Sequence, residues 1–317
     1  VQTRSISLRR SVTVVGGLML VLAVWLGWLA VDAAERTRVV AACAIIGLCT
    51  GSFLNVVVYR LPRMLEAAWA REAAEISGAP AVPAERFNLA WPPSRCPSCE
   101  TRIAAWQNVP VLSYVWLRGR CGACDLPIGT RYPLVETLTS LVFGVIGWHF
   151  GAFGHWPALV AYAAFCAMLL ALALIDADTC LLPDALTLPL VWLGLLASVA
   201  GITVTPDDSV IGAAGGYLGL WLVASAYRAA LGRDGLGAGD CKLVAALGAW
   251  LGWPMLPVVL VLGSLLSCVV GGLTLARRGE SMRTPLPFGP SLVAAGFVAL
   301  AWGDRIVGTF VDMAAGF

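Results

Sequence analysis

Long apolar runs separated by short polar connections dominate this 317-residue chain. A run of roughly 18 or more apolar residues has the length a helix needs to cross a bilayer. Runs of about this size occupy 12–31, 39–59, 133–150, 157–175, 185–204, 210–229, 255–275 and 291–306. A shorter, glycine-containing run at 241–253 predicts a helix that is tilted, re-entrant or only partly inserted. The pattern predicts an all-α polytopic membrane protein with eight to nine transmembrane helices. The one sizeable polar portion, 60–132, holds no segment long enough to span, only a short helix expected at 65–76. Pro62, within Arg60-Leu61-Pro62-Arg63, is expected to help end the 39–59 helix, because proline donates no hydrogen bond and clashes with the preceding turn. At the start, Arg4, Arg9 and Arg10 precede the 12–31 run in the manner of a signal peptide. That run is long for the purpose and Ala33-Ala34 is a weak cleavage site, so a membrane anchor is the favoured reading.

Composition agrees with this class and narrows the chemistry. The chain is 59% hydrophobic and only 13% charged, which a water-soluble fold does not need. A net charge of +2 gives no reason to expect nucleic acid as a partner. His149 and His155, the two histidines, sit in one short connection and leave histidine chemistry little to work with. Alternating the spans across the bilayer groups 60–132, 177–184, 228–240 and 277–283 on one side. These connections hold most of the Lys and Arg, which predicts that this side is cytoplasmic.

Acidic residues at the edge of a hydrocarbon layer are costly, so each is a candidate for function. Asp176 closes one span as it reaches the cytoplasmic side, and Asp240 opens another from the same side, so the two are expected at similar depth. If they meet, one pKa rises and the pair shares a proton near neutrality. Such a pair can activate water with one member and protonate a leaving amine with the other, and the sequence does not say which is the base. Gly237 and Gly239 precede Asp240 and are expected to supply unusual backbone geometry or close approach of a peptide. The alternative for Asp240 is a plain helix cap after a glycine-rich turn. Asp178 competes with Asp176 but should point away from it, into the loop. Asp184, after Pro183, reads mainly as a helix N-cap. Glu136, early in its span, either pairs with an arginine or faces the site.

Four of the ten cysteines form a pattern and the others read as small apolar residues. Cys96-Pro97-Ser98-Cys99 and Cys121-Gly122-Ala123-Cys124 make two Cys-x-x-Cys knuckles with about 21 residues between them, close to zinc-ribbon spacing. Four thiolates close a tetrahedral site, which predicts a structural Zn2+ rather than a catalytic one. A pair of disulfides conflicts with a reducing cytoplasm.

Together, several stretches of the chain resemble the bacterial prepilin peptidases, the type IV leader peptidases of the GxGD class of intramembrane aspartic proteases. These are Ile175-Asp176-Ala177-Asp178 running on to Pro183-Asp184, Gly237-Ala238-Gly239-Asp240-Cys241-Lys242, Gly51-Ser52-Phe53-Leu54-Asn55 running on to Arg60-Leu61-Pro62, Arg131-Tyr132-Pro133-Leu134-Val135-Glu136, and Pro287-Phe288-Gly289-Pro290. The resemblance covers roughly 39–297 and implies a bifunctional enzyme of the bacterial inner membrane. Its members cleave the basic leader from type IV prepilins and from pseudopilins of type II secretion. They then methylate the new amino terminus with S-adenosylmethionine. The resemblance carries the catalytic role to Asp176 and Asp240, with Gly237, Gly239, Lys242, Asp178, Asp184 and Glu136 as supporting residues. It ties the Gly51 stretch and the cysteine region to methyl transfer. No Gly-x-Gly-x-x-Gly fingerprint follows a strand, and Gly47 with Gly51 reads equally well as a helix-packing face. Gly51 is the first candidate for a cofactor contact, with Asn55 and Arg60 behind it.

The expected layout is an added anchor at 1–38, a first family helix at 39–60, a cytoplasmic zinc-binding domain at 61–132 and a membrane peptidase domain at 133–317. The competing readings are a transporter with a carboxylate proton relay and a scaffold of the secretion apparatus. Oligomeric state is not legible.

Overall fold

A computed structural model describes residues 33–78, 86–151, 155–232, 235–279 and 286–315. The anchor expected at 12–31 lies outside these residues. Among the described residues the regular structure is helical, with nine α-helices and only two isolated β-bridges, Arg95 with Arg102 and Arg120 with Pro127. The helices are α1 (Ala33–Ser77), α2 (Leu112–Trp116), α3 (Arg131–Phe150), α4 (Trp156–Thr179), α5 (Asp184–Val199), α6 (Pro206–Leu231), α7 (Ala238–Leu251), α8 (Leu256–Arg278) and α9 (Gly289–Ala315). Five stretches are long and apolar enough to cross a membrane: Arg36–Ser77, Arg131–Phe150, Trp156–Thr179, Pro206–Leu231 and Trp253–Arg277. Asp184–Val199 and Gly289–Gly303 are shorter apolar helices. The chain is therefore a helical membrane protein.

Pro62 does not end the first helix, contrary to the sequence expectation. α1 runs on through it for 45 residues and absorbs the short helix expected at 65–76. A proline inside a helix costs ~3 kcal/mol through one lost hydrogen bond and a clash with the preceding turn. Around it, Val57, Val58 and Leu61 are buried against Ile175, with Leu65 and Leu89 packed on the same cluster. Close packing of these side chains on Ile175 and Leu89 holds the segment helical through the proline.

The chain divides into two compact units, Val1–Ser52 with Ala104–Ala164, and Phe53–Ile103 with Phe165–Phe317. In the first, α1 and α3 approach backbone to backbone. A Cβ added at Gly51 would stand 2.7 Å from the Glu136 Cα, and one at Gly47 2.7 Å from the Ser140 Cα. The Ser140 hydroxyl donates to the Ala44 carbonyl at 2.9 Å across the same seam. At the other end of α3, the Arg36 guanidinium lies 4.6 Å over the Trp148 ring. Gly47 and Gly51 thus form the small-residue packing face that lets two membrane helices touch.

The second unit is built around α7. Every residue from Asp240 to Leu251 is buried except Lys242, with α5, α6 and α9 packed about the helix. A helix apolar on all sides belongs in a core. Near its other end the Trp250 indole N–H donates to the Leu190 carbonyl at 2.8 Å, and the ring stacks on Phe165 at 4.7 Å. The Ser209 hydroxyl of α6 donates to the Ala249 carbonyl at 2.6 Å.

The close seam between α1 and α3 makes a direct prediction. Gly51→Val forces the helices apart and is expected to cost about 1–3 kcal/mol of stability, as overpacking does. It will be read as a lowered melting temperature in detergent, with Ile45→Val, an exposed position, leaving the melt unchanged.

Candidate active site and cysteine cluster

Asp176 lies three residues before Thr179, the C-terminal end of α4, on the buried side at 4% exposure. The helix stops just after it because Cys180 adopts a left-handed φ of 51° and Pro183 follows. Asp240 is the third residue of α7 and is 9% exposed. The structure brings the two acids together. Burial first, and then the charge of Asp176, push the Asp240 carboxyl up to about 6 against the lowering effect of the Gly237 N–H. Cys180, in the connection after α4, has its thiol pushed up by burial and by the charges of both Asp176 and Asp240.

Each acid is held by a backbone donor from a glycine. The Gly289 N–H, at the start of α9, donates to Asp176 Oδ2 at 2.8 Å in a buried position. The Gly237 N–H donates to Asp240 Oδ2 at 3.2 Å. Gly289 is a site residue that the sequence reading quoted in a motif without giving it a task. Its requirement is spatial, since a Cβ there would lie 2.7 Å from the same Asp176 oxygen. The only sequence signal was its place between Phe288 and Pro290.

Several expectations are corrected by this geometry. Asp240 is not the cap of α7; Gly237 is, with an ordinary extended φ of −74°. Gly237 therefore does not supply a special backbone conformation. Gly239 is needed for room, because a Cβ on it would come within 2.8 Å of the Leu182 Cβ. Asp184 is likewise not an N-cap: Pro183 caps α5, and Asp184 in its first turn accepts a 2.5 Å ion pair from Lys242 of α7. The pair ties together the first turns of α5 and α7, at a worth of about 0–1 kcal/mol for partners this exposed. Asp178 is exposed and on a different side of α4 from buried Asp176, as expected.

In the other unit, Glu136 is buried and held by the Val111 N–H at 2.7 Å and by the Ser52 hydroxyl, in place of the arginine partner that was one expectation. Gly51 is closed over by Glu136 and Thr139. Asn55 is half-buried. Arg60 is buried, and its guanidinium donates to the Asn88 carbonyl at 2.8 Å and the Pro92 carbonyl at 2.6 Å. Gly51 thus packs against α3, and Arg60 holds the 87–92 connection.

The two cysteine knuckles repeat one backbone design. Cys96 N–H donates to Thr101 and Cys121 N–H to Leu126, while the amides of Glu100 and Asp125 return to the carbonyls of Cys96 and Cys121, both at 3.0 Å. Glu100 and Asp125 take matching left-handed φ values of 55° and 57°. Such a turn aims two thiols to one side. The sulfur atoms of Cys96, Cys99, Cys121 and Cys124 all lie within 4.8 Å of one another, a donor set that fits a metal ion.

Comparison with known proteins agrees with this arrangement. Residues 45–150 match the bacterial peptidase A24 N-terminal domain and residues 163–272 match the type IV leader peptidase family. A prepilin leader peptidase/N-methyltransferase of Pseudomonas putida is 50% identical over 274 residues, which cover 86% of this chain and 94% of the relative. The chain belongs to the type IV leader peptidase family. Further relatives of the same description come from Pseudomonas aeruginosa, 47% identical over 85% of this chain and 92% of the relative, and Aeromonas hydrophila, 48% identical over 82% and 89%. No solved structure matches the chain. Within the family matches, 163–272 encloses Asp176 and Asp240 and 45–150 encloses the four cysteines, whereas Gly289 lies beyond both.

The cysteine geometry predicts metal content. Elemental analysis of the purified chain is expected to find one bound divalent ion, lost in Cys96→Ser/Cys121→Ser together with part of the thermal stability.

Proposed function

We propose that this chain removes the leader from type IV prepilins with Asp176 and Asp240 and then methylates the amino group it has exposed. The observation that carries the reading is a pair of buried carboxylates on separate helices, each held by a glycine amide and near enough for the charge of one to act on the other, in a chain whose relatives are prepilin leader peptidase/N-methyltransferases. Asp176, with a buried amide donor on Oδ2 at 2.8 Å, is the member better supported as an anion. It accepts a proton from water as the water oxygen attacks the scissile carbonyl carbon. Asp240, pushed up to about 6 and so holding its proton more readily than an ordinary aspartate, gives it to the leaving nitrogen as the C–N bond breaks. Gly289 orients Asp176, Gly237 orients Asp240, and Gly239 lets the Leu182 segment close on α7. Lys242 and Asp184 hold the two acid-bearing regions in register, and Asp178 faces solvent beside them.

The remaining parts follow the same reading. The four cysteines hold a structural Zn2+, for which soft thiolates are the preferred donors and which leaves no open position for chemistry. The methyl group comes from S-adenosylmethionine, and no residue is assigned to hold it. The seven apolar helical segments cross the bilayer, and α7 is lodged among them. The connections rich in Lys and Arg face the cytoplasm, as do the acid pair and the 61–132 region, in the bacterial inner membrane. Pseudopilins share the substrate chemistry. The transporter alternative finds no support among the relatives.

Purified protein incubated with a prepilin and S-adenosylmethionine tests both activities, since mass spectrometry of the product's amino terminus reports the cut and the added methyl group. Asp176→Asn and Asp240→Asn are each expected to lower cleavage by about a thousandfold or more, as loss of a group acting in a unit does. Full activity in either overturns the pair. Gly289→Ala is expected to lower kcat by at least about tenfold with KM within about twofold, the pattern of a group that acts on the transition state. Asp240 must carry its proton, so cleavage is expected to decline as pH rises through the pair's upper apparent pKa, with Asp240 at about 6.

A further inference from the structure

Residues 105–116, between the two cysteine knuckles, carry a group of side chains that a water-facing loop does not need. Trp106 is 54% exposed, Val109 41%, Leu112 65%, Val115 66% and Trp116 79%. A short 3-10 turn at Ala105–Asn108 and α2 present them, and Val111 between the two has a left-handed φ of 58°. A β-branched residue in that conformation is strained and persists only where its surroundings hold it. The hold is visible: the Val111 N–H donates to Glu136 Oε2 at 2.7 Å.

That hydrogen bond fixes the depth of the segment. Glu136 is the sixth residue of α3, so its Cα lies about 7–8 Å along the axis from Arg131. It stands twelve residues before Trp148, the ring under Arg36 at the opposite end of the span. Those twelve residues measure about 18 Å, and a hydrocarbon core of about 30 Å then extends roughly 12 Å further past Glu136. Both measures put the Glu136 Cα inside the apolar layer. Its side chain leans back toward the start of the helix, as side chains on a helix do, and so meets Val111 near the layer's edge. On α3 itself Leu134, Leu138 and Leu141 are 65%, 47% and 63% exposed, a surface that faces lipid in a membrane helix. The exposed side chains of 105–116 are tethered through Val111 to the Glu136 end of this span, the level where tryptophan is favoured.

We propose that 105–116 is an interfacial segment that inserts Trp106, Leu112, Val115 and Trp116 into the edge of the bilayer. The hydrogen bond from Val111 to Glu136 pins it there. The partner is the lipid surface itself, not a protein groove. Arg118 and Arg120, just beyond α2, lie where headgroup phosphates would meet them. The second cysteine knuckle, Cys121 to Cys124, is then held at the membrane surface by the segment that precedes it. Glu136 acquires a task that does not depend on the peptidase chemistry.

Photo-crosslinking in nanodiscs of phosphatidylcholine and phosphatidylglycerol tests this. p-Benzoylphenylalanine is placed singly at Leu112 and Trp116, at Leu141 as a mid-span reference, and at Ala123 in the knuckle as a polar reference. The expected result is adducts of lipid mass at 112 and 116 in at least half the yield found at 141, with none at 123. Absence of lipid adducts at 112 and 116 while 141 gives them overturns the proposal, and so does crosslinking of 112 and 116 mainly to an added prepilin. A second measurement needs no unnatural residue. Brominated lipid quenches tryptophan on contact, and Trp116→Phe is expected to remove a measurable part of the wild-type quenching. An unchanged quenching fraction counts against the insertion.

Discussion

Two carboxylates kept out of water within reach of each other constrain everything around them. Each acid is costly to bury, and their mutual repulsion raises the cost further. The fold meets this by giving each a backbone amide, Gly289 for Asp176 and Gly237 for Asp240, and by letting one of the two hold a proton. Glycine is required at 289 because a side chain would occupy the carboxylate's own place. The requirement extends outward through α7, buried along its length so that Asp240 has a fixed position, and through the stop of α4 at Cys180. The Lys242 to Asp184 ion pair adds a surface tie between the segments that follow the two acids.

The membrane supplies the rest of the logic. Helices without a hydrophobic force between them associate through close contact, which is why Gly47 and Gly51 face α3 and why the Ser140 hydroxyl reaches the Ala44 carbonyl. Where polar groups are buried in this seam they find specific partners, as Glu136 does with Val111 and Ser52. The cysteine knuckles solve a different problem. Residues 86–130 bury almost no apolar side chain, and four thiols within 4.8 Å of one another could hold a metal in place of the missing core.

The helical class was legible in the sequence because it follows from run length, and the expectation of similar depth for Asp176 and Asp240 follows from alternation; neither depends on tertiary detail. The cysteine cluster was legible because the spacing is itself the geometry. What was not legible depended on neighbours distant in the chain. Pro62 reads as a helix end until Ile175 and Leu89 are packed around it. Asp184 reads as a cap until Lys242, 58 residues away, reaches it. Gly289 carries no chemical signal of its own, because its contribution is a backbone N–H and an absence of side chain. Arg60 looked available to a ligand, and only the fold gives it the Asn88 and Pro92 carbonyls.

The burial of α7 also bears on how the protein is made. Its 14 residues span only about 21 Å as a helix, short of a bilayer's apolar thickness. It begins with an acid and carries Lys242, so it is a poor candidate for independent insertion. It gains its place only once α5 and α6 stand ready to receive it, late in biogenesis. A chain halted before that step holds Asp176 without Asp240. If the two acids act as the proposed pair, proteolytic competence is withheld from unfinished copies of the protein.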